Sequence, residues 1–571
     1  MQGTEFLLRS LVADGVDHLF MMTGGLVDPF LPAFESVPEL TPVVAAHEGG
    51  AAAMADGYAR AGGGVGACLC IGGPGLTNTV TSISAAYTDE SPVLLLTGEV
   101  ENYMQGLGLF QDATAGTYRD TEIIRPITIQ SYSIPDVRLL HHKYRFAVKS
   151  MLDGARRPAH LSIPRDVQTG DLDVLPAPVA PALLNSMTLD QDVAKQLWTM
   201  ADGATRIAII VGGGVIADDA TNDLIAVAEK FALPIATTEH AKGLMPEDHP
   251  LALGVFGYAG TPHATAAILE SDLDLLIVLG STLNVRDSMY WSEKLVPKHG
   301  LYSVNISAAH IGCHTLPGQE HFVRGHGGAF LRWLREASDS DAATLVKSKA
   351  ERLSWVDGIH KGPRLYDIEN MTSDQKRIHP ARMVAECRKA MPRHAVAVVD
   401  SGAHRAFAAH YWESYGPREF ITASNLGPMG WGIGAGIGAK AARPDQPVVV
   451  FSGDGCFRMH GMEVQTSARF GLPVIYCVSN NCALGNVYLR AVGKGAIPER
   501  LNEAPDQDFA AFARALGAEG ITVEAPDELA PAFAKALELN KTVVIDVKTD
   551  RTTKTPVSPY QQGAEAWSYR E

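Results

Sequence analysis

Short apolar runs along this chain alternate with longer stretches that carry a helical pattern of apolar and polar positions. This alternation predicts parallel strands joined by helices, which is the α/β class. The clearest example is an apolar run at Pro447–Phe451, a Gly-Asp-Gly turn, a helical stretch at Gly461–Phe470 and a second apolar run at Leu472–Val478. Because a crossover helix joins strands that point the same way, this segment predicts one βαβ unit.

The alternation fills three blocks of the chain, so we expect an α/β protein with three doubly wound parallel-sheet domains and a short tail. The proline-rich segment Leu175–Pro181 predicts a linker after the first block, and a polar, charged stretch from Ser338 to about Lys376 predicts the boundary before the third. The expected bounds are 1–170 for the first domain, 188–338 for the central domain, 376–550 for the third and 551–571 for the tail.

The first and third blocks share a faint internal echo. Gly73-Pro74-Gly75 follows an apolar run in the first block, as the Gly-Asp-Gly turn does in the third. The next apolar run of each block contains a proline, Pro92 in the first and Pro473 in the third, at nearly the same distance from the glycines. We therefore expect two similar domains that flank a third.

The composition narrows the class of protein. The chain has 571 residues, of which 46% are hydrophobic and 20% charged, as in a globular enzyme. A net charge of −16 argues against nucleic acid or an anionic membrane as the main partner. No apolar run reaches the roughly 18 to 20 residues that cross a bilayer, and the seven cysteines form no CxxC motif. We expect a cytoplasmic protein with small-molecule substrates.

Two polar residues follow the strands of the predicted βαβ unit. Asp454 and Asn481 each come just past a strand, at the sheet edge where open α/β folds bind ligands. A carboxylate and an amide oxygen suit a hard cation such as Mg²⁺ that shares a diphosphate. Gly453 and Gly455 let the backbone approach phosphate oxygens, and the N-terminus of a helix attracts their charge. The alternative is an ordinary polar turn between a strand and a helix.

The Gly-Asp-Gly turn followed at this spacing by Asn480-Asn481 resembles the thiamine-diphosphate-binding motif of the decarboxylase, acetolactate synthase and pyruvate oxidase superfamily. The resemblance implies that Asp454, Asn481 and the backbone carbonyl of Ala483 bind Mg²⁺. It also implies pyrimidine-binding, central and diphosphate-binding domains, in that order. Each site of the superfamily lies between two subunits, so a homodimer or homotetramer is implied.

A thiamine cofactor also needs a carboxylic acid against its aminopyrimidine ring, and Glu48 is the best candidate. Glu48 follows the apolar run Pro42–Ala46 and opens a helix, a position where a glutamate most often serves the helix dipole. However, His47-Glu48-Gly49 leading into Ala55–Arg60 resembles the superfamily segment whose glutamate activates the cofactor. The resemblance therefore implies a catalytic role for Glu48.

Further segments resemble other parts of the superfamily site. In Gly427-Pro428-Met429-Gly430, Met429 takes the position of the bulky residue that props the cofactor into its bent shape. The cofactor-binding positions that the resemblance implies are Gly24, Gly25, Gly73, Asn78, Gly402, His404, Gly427, Met429, Gly453, Asp454, Gly455, Cys456 and Asn481. The substrate-side positions are Leu26 and Gln111.

The resemblance implies decarboxylation of a 2-oxo acid with carboligation to an acceptor carbonyl, as in acetolactate synthases. The segment Glu99–Gln111 lacks the adjacent histidines of plain decarboxylases, which favours carboligation or oxygen-independent lyase chemistry over plain decarboxylation. Gly485–Arg490 lacks the tryptophan that acetolactate synthases carry there, so a C–C lyase acting on a 2-hydroxy ketone or 2-hydroxyacyl-CoA stays open. A catalytically inactive cofactor-binding subunit is the alternative outside enzymes.

FAD is a further cofactor that the sequence leaves open. Gly254–Gly260 and Gly280–Arg286 fit the flavin-containing members of the superfamily. In contrast, Val304–Ser307 lacks the acidic turn that commonly contacts the adenosine of the flavin.

Overall fold

The computed structural model describes residues 1–114, 116, 118–307, 320–494 and 501–556. These residues divide into two compact units. The first unit comprises 1–186, 395–404 and 421–551, and the second comprises 187–394, 405–420 and the described residues after 551. Residues 557–571 of the predicted tail lie outside the described residues.

The first sheet has six strands: β1 His18–Met21, β2 Thr41–Val44, β3 Gly66–Ile71, β4 Val93–Glu99, β5 Ser131–Ser133 and β6 Ala159–Pro164. They lie in the order β2-β1-β3-β4-β6-β5 and pair in parallel. Strands β3 and β4 are buried throughout, as expected for a parallel sheet covered on both faces. The covering helices are α1 Gly3–Ala13, α2 Phe30–Ala33, α3 Glu48–Gly62, α4 Pro74–Thr88, α5 Asp120–Ile124, α6 Val137–Leu152, α7 Arg165–Thr169 and α8 Ala180–Leu184.

The second unit is built on the central sheet. Its strands are β7 Ile207–Val211, β8 Ile235–Thr237, β9 Ala252–Val255, β10 Leu275–Leu279, β11 Leu301–Asn305 and β12 Glu320–Arg324. They pair in parallel in the order β12-β11-β10-β7-β8-β9. Its helices are α9 Gln191–Ala194, α10 Gln196–Met200, α11 Gly213–Ala217, α12 Thr221–Phe231, α13 Pro262–Thr265, α14 Gly327–Glu336, α15 Ala343–Lys347, α16 Lys349–Ile359 and α17 Pro380–Ala390.

The third sheet repeats the strand order of the first. Its strands are β13 Val396–Val399, β14 Phe420–Thr422, β15 Val448–Gly453, β16 Ile475–Asn480, β17 Glu519–Val523 and β18 Val543–Lys548. They lie in the order β14-β13-β15-β16-β18-β17. The helices are α18 Ala403–Tyr411, α19 Trp431–Ala442, α20 Asp454–His460, α21 Glu463–Arg469, α22 Gly485–Lys494, α23 Phe509–Ala515 and α24 Leu529–Leu539. The predicted α/β class with three parallel sheets is confirmed, and the echo between the outer blocks is a shared topology.

Helices α3 and α19 pack at backbone distance inside the first unit. A Cβ added to Gly57 would overlap the backbone of Ala435, and one added to Gly438 would overlap the backbone of Met54. At these two positions only glycine allows the helices to approach so closely. This glycine seam joins the helix that Glu48 opens to the helix that follows Met429.

Three local features differ from the sequence pattern. The helix after the Gly-Asp-Gly turn begins at Asp454, and the predicted helix at 461–470 corresponds only to α21. The polar stretch after Ser338 is helical, and its buried Leu345 and Val356 join the core of the second unit. The end of the proline-rich segment docks on the first unit, where Asp14 Oδ1 accepts hydrogen bonds from the backbone of Val179 and Ala180.

In the described ranges, no helix combines the length and the apolar character that a membrane crossing requires.

Candidate active site

The Gly-Asp-Gly turn lies at the carboxyl edge of the third sheet. Strand β15 ends at Gly453, Asp454 opens α20, and Asn481 directly follows β16, the parallel neighbour of β15. Asn481 Oδ1 accepts a hydrogen bond from the Ala483 backbone over 3.0 Å, and the same N–H faces the Asp454 carboxylate. The structure thus brings the three predicted metal-binding residues together.

Asp454 is buried, and burial raises the pKa of its carboxyl against the opposing effect of Arg458. Asp454 Oδ1 accepts a hydrogen bond from Gly455 N at 2.9 Å, and Oδ2 accepts one from Arg458 Nη2 at 3.0 Å. Each oxygen keeps a second lone pair for a cation. Over the described ranges, no group of three or more His, Cys, Asp or Glu side chains could hold a metal. A cation at this turn would therefore use carboxylate, amide and carbonyl oxygens, the ligands of Mg²⁺.

The predicted cofactor-binding residues of the third domain surround this turn. A Cβ placed on Gly455 would lie 3.1 Å from Met429 Cε, and one placed on Gly453 would lie 2.9 Å from His404 Nδ1. The two glycines therefore let Met429 and His404 pack against the backbone of the turn, where a side chain would collide with them. Cys456 is buried and donates its thiol to the Ser401 carbonyl over 2.8 Å. Gly402 contacts the His404 ring, and Gly427 donates its N–H to the Ala423 carbonyl over 3.0 Å.

Asp400 fixes the stretch that carries Met429, although the sequence analysis assigned roles in this loop only to Gly402 and His404. It follows β13, is buried, and accepts hydrogen bonds from Ser401 N at 2.8 Å and Gly430 N at 3.0 Å. Burial raises the pKa of this carboxyl to about 7. Its position after the strand next to β15 was the signal available in the sequence.

Glu48 is the first residue of α3 and is half-buried in the single chain. Its Oε2 accepts a hydrogen bond from Asn78 Nδ2 over 2.9 Å. The His47 ring caps the helix, because its Nδ1 accepts the Gly49 N–H at 3.0 Å. Glu48 and Asn78, predicted from separate motifs, thus form one pair. In the described part of the chain, no hydrogen bond or ion pair connects Glu48 with Asp454.

Glu463 and His460 also reach the turn before Glu48, and the sequence analysis missed both. The Glu463 carboxylate accepts the backbone N–H groups of Ala46 and His47, each over 3.0 Å. The His460 ring lies edge-on to the His47 ring, with 5.8 Å between the centroids. Burial raises the pKa of the Glu463 carboxyl and lowers that of the His460 imidazole.

The substrate-side predictions lie on the first sheet. Gln111 adopts a left-handed conformation (φ 62°), and its carbonyl lies 3.6 Å from where a Cβ on Gly73 would be. Gly73 donates its N–H to Asp120 Oδ2 over 2.8 Å. The buried Leu26 offers its carbonyl to Gln168 Nε2 at 2.8 Å. Gly24 packs on Ile71, and the Gly25 carbonyl accepts a hydrogen bond from Arg165 Nη1 at 3.2 Å.

In the second unit, polar residues cluster near the segments considered for FAD. Arg286 and Arg405 lie over the Tyr258 ring, at 3.8 and 5.3 Å from its centroid, and both guanidinium groups approach Glu239. At the end of β11, Asn305 Nδ2 donates to the Ser281 carbonyl over 3.1 Å. Flavin-containing members carry an acidic turn at this place. Here the Asn305 side chain instead holds the Ser281 loop of the same unit.

The sequence matches three consecutive domains of thiamine pyrophosphate enzymes. These are the N-terminal thiamine-pyrophosphate-binding domain over residues 1–118, the central domain over 194–326 and the C-terminal thiamine-pyrophosphate-binding domain over 400–547. A probable acetolactate synthase large subunit from Methanocaldococcus jannaschii is 31% identical, over 98% of this chain and 94% of that protein. The chain belongs to the thiamine pyrophosphate enzyme family. It is a thiamine-diphosphate-dependent enzyme, thiamine diphosphate being the same cofactor under its other name.

Other relatives of this thiamine pyrophosphate enzyme carry two kinds of name. An acetolactate synthase large subunit from Corynebacterium glutamicum is 31% identical, over 96% of this chain and 86% of that protein. A sulfoacetaldehyde acetyltransferase from Castellaniella defragrans is 30% identical, over 97% of this chain and 94% of that protein. The family is thus established, whereas the relatives differ in the reactions that their names state.

Proposed function

We propose that this enzyme decarboxylates a 2-oxo acid and joins the remaining carbon unit to an acceptor carbonyl, as its acetolactate synthase relatives are named for doing. The observation that carries the proposal is that the first unit holds both a glutamate pair, Glu48 with Asn78, and an oxygen-ligand cluster of Asp454, Asn481 and Ala483. The first is suited to proton transfer and the second to a metal-bound diphosphate.

The third domain would hold the diphosphate end of the cofactor. Asp454, Asn481 and the Ala483 carbonyl would bind Mg²⁺, which neutralises the diphosphate. The backbone of Gly453 and Gly455 would approach the phosphate oxygens without a side chain in the way. When bound, the cofactor supplies a nucleophilic carbon and an electron sink for loss of carbon dioxide.

Glu48 would hold a proton at the aminopyrimidine end, and Asn78 would orient it. The amide of Asn78 engages Oε2, so the carboxyl group cannot rotate freely and presents Oε1 in a fixed direction. Met429, which packs against Gly455 of the Gly-Asp-Gly turn, would support the cofactor in its bent shape. Asp400 would in turn keep the Met429 stretch in place through the Gly430 N–H.

We also propose that the active enzyme is at least a homodimer with sites shared between subunits. Glu48 is only half-buried and Asn78 is exposed in the single chain, although proton transfer needs a dry site. Large apolar side chains are exposed beside Gln111 and on α20. Phe110 is 85% exposed and Leu107 69%, both just before Gln111, and Met459 on α20 is 58% exposed. Light scattering coupled to size exclusion would give the mass, and a cofactor-loaded, active monomer would contradict this proposal.

Two further assignments remain proposals. A cytoplasmic location is supported by six buried free cysteines among the described residues, as expected in a reducing compartment. The segments near Tyr258 favour FAD binding by the second unit, whereas Asn305 stands where flavin-containing members carry an acidic residue. We therefore propose FAD as an alternative to an enzyme that holds thiamine diphosphate and Mg²⁺ alone. Flavin absorbance of the protein, before and after incubation with FAD, tests it directly.

The test of the main proposal is product analysis with carboxyl-labelled pyruvate, thiamine diphosphate and Mg²⁺. We expect labelled carbon dioxide together with a carboligation product, and the same with 2-oxobutyrate as acceptor. Carbon dioxide with free aldehyde as the only product would contradict carboligation. No release of carbon dioxide from any 2-oxo acid would contradict the proposed donor.

A second candidate is transfer of an acetyl unit from sulfoacetaldehyde to an acceptor nucleophile, with loss of the sulfonate group as sulfite. The relatives named sulfoacetaldehyde acetyltransferase support this candidate. Consumption of sulfoacetaldehyde in the absence of any 2-oxo acid would favour it. The lyase alternative would be favoured by cleavage of a 2-hydroxy ketone or a 2-hydroxyacyl-CoA under the same conditions.

A further inference from the structure

Glu463 is a buried acid whose hydrogen bonds leave its own domain. It lies on the third domain, in the first turn of α21, and is 1% exposed. Its Oε1 accepts the His47 N–H at 3.0 Å and its Oε2 accepts the Ala46 N–H at 3.0 Å. Both N–H groups belong to the turn that leads from β2 of the first domain into Glu48. The Glu463 carboxylate therefore holds, by hydrogen bonds, the two residues immediately before Glu48, the proposed catalytic acid.

All of these contacts require oxygen acceptors. A third hydrogen bond reaches Oε2 from the Thr466 hydroxyl, on the same helix, over 2.8 Å. Both oxygens thus face donors, and an amide in place of the carboxylate would turn an NH₂ group toward one of them. A buried donor left without an acceptor is unfavourable, so an amide at this position would loosen one side of the turn.

The first domain is shaped to receive this carboxylate. A Cβ added to Gly50 would overlap the Glu463 side chain, so the glycine opens the space that the acid fills. Gly50 is fully covered in the first turn of α3, two residues beyond Glu48. Glu463 of the third domain therefore contacts the chain both before Glu48, at Ala46-His47, and after it, at Gly50.

We infer that Glu463 is a positioning residue for Glu48: it clamps the Ala46-His47 turn so that the Glu48 carboxyl meets the aminopyrimidine ring in a productive geometry. This inference rests on the proposed role of Glu48. The expected size of the effect on rate follows from catalytic geometry, because a displacement of about 1 Å lowers the rate up to a hundredfold.

The experiment follows exchange of the cofactor C2 proton with deuterium on the thiamine-diphosphate- and Mg²⁺-saturated enzyme without substrate, by acid quench and proton NMR. We expect Glu463→Gln to slow this exchange about tenfold to a hundredfold, with little change in cofactor affinity. Gly50→Ala displaces the same carboxylate from the opposite domain and should slow exchange in the same way.

Thr466→Val is the matched control. It removes the Thr466 hydrogen bond to the same carboxylate and leaves both bonds to the turn, so exchange should stay within about twofold of the wild type. If Gly50→Ala does not fold, the comparison of Glu463→Gln with Thr466→Val decides.

Glu48→Gln distinguishes a failure of the positioning role of Glu463 from a failure of the proposed function. Slow exchange in Glu48→Gln with unchanged exchange in Glu463→Gln would overturn the positioning role alone. Weaker cofactor affinity with unchanged exchange at saturation would overturn it too, because Glu463 would then be merely structural. Unchanged exchange in Glu48→Gln would overturn the proposed function, and the positioning role with it.

Discussion

Asn78 donates a hydrogen bond to Glu48 Oε2 over 2.9 Å and joins the segment Gly73–Asn78 to the helix that Glu48 opens. Among the described residues, none donates a hydrogen bond to Oε1 of the same carboxyl. The side chain is therefore held by one oxygen and available at the other. This is the arrangement expected of a group that exchanges a proton with a bound ligand.

Replacement of Glu48 by glutamine keeps the size of the side chain and removes the acid. We expect kcat to fall about 10²- to 10⁴-fold, the usual contribution of general acid–base catalysis. The dissociation constant of thiamine diphosphate, measured by calorimetry, should change much less. Glu39→Gln, at an exposed position of the same domain, is the control. Full turnover in Glu48→Gln would refute the assignment.

Replacement of Asp454 by asparagine tests the metal site. We expect the Mg²⁺ concentration for half-maximal cofactor binding to rise by about tenfold or more, because even partners of metal ligands contribute 10- to 100-fold to affinity. Calorimetric titration with Mg²⁺ at fixed thiamine diphosphate measures it, after removal of metal with EDTA. Asp445→Asn changes an exposed acid of the same domain and should have no effect. An unaltered Mg²⁺ requirement in a folded Asp454→Asn protein would exclude Asp454 as a ligand.

The glycine seam between α3 and α19 predicts a stability effect. In Gly438→Ala the new methyl group would overlap the Met54 backbone, and overpacking of this kind costs about 1–3 kcal/mol. We expect the apparent Tm of the first unit to fall by several degrees, at about 2–4 °C per kcal/mol. Gly62→Ala is the matched control, since its methyl would lie 3.4 Å from Ala442 Cβ, an ordinary contact. Equal melting temperatures for both variants would argue against a tight seam.

Glu99 should make the protein less stable as the pH rises. Burial raises the pKa of its carboxyl from 4.5 to about 7, with a further contribution from the Asp120 charge. Between these values the unfolded chain releases a proton that the folded chain retains, so the free energy of unfolding falls with increasing pH and levels off above about 7. Glu99→Gln removes this titration.

The measurement for Glu99 is the apparent Tm from pH 5 to 8. We expect the decline over this range to be shallower in Glu99→Gln than in the wild type, with Asp120→Asn acting in the same direction because burial also raises the pKa of Asp120 to about 7. Parallel curves for the wild type and Glu99→Gln would show that the carboxyl titrates alike in both states.

The strands and the position of the Gly-Asp-Gly turn at the sheet edge could be predicted because their signals are local. Apolar runs before Asp454 and before Asn481 define β15 and β16, and the parallel pairing then brings the two residues to one edge. Helix α20 was missed because its exposed Met459 and its charged Arg458 hide the helical pattern. The stretch after Ser338 looks polar along the chain, but Leu345 and Val356 supply enough apolar surface to pack.

Glu463 could not be found by the same reasoning. Its partners, the backbone N–H groups of Ala46 and His47, are more than 400 residues away and carry no side-chain identity that a motif could record. The available signal was weak, because the buried side of α21 carries Thr466 and Ser467 beside Glu463 and so does not stand out as an apolar face with one acid. Only the fold brings the two N–H groups to the carboxylate. Site residues that act through the backbone are for this reason underrepresented in motif-based prediction.

The discontinuity of the first unit bears on how the chain is made. Helix α3 leaves the ribosome early, whereas α19, which covers its small-residue face, follows only after all of the central domain has been synthesised. The central domain is continuous over most of its length and can fold while translation proceeds. The cofactor-binding unit, in contrast, must wait for the last third of the polypeptide. A nascent chain that has reached only the central domain therefore exposes the face of α3 that α19 covers in the folded protein.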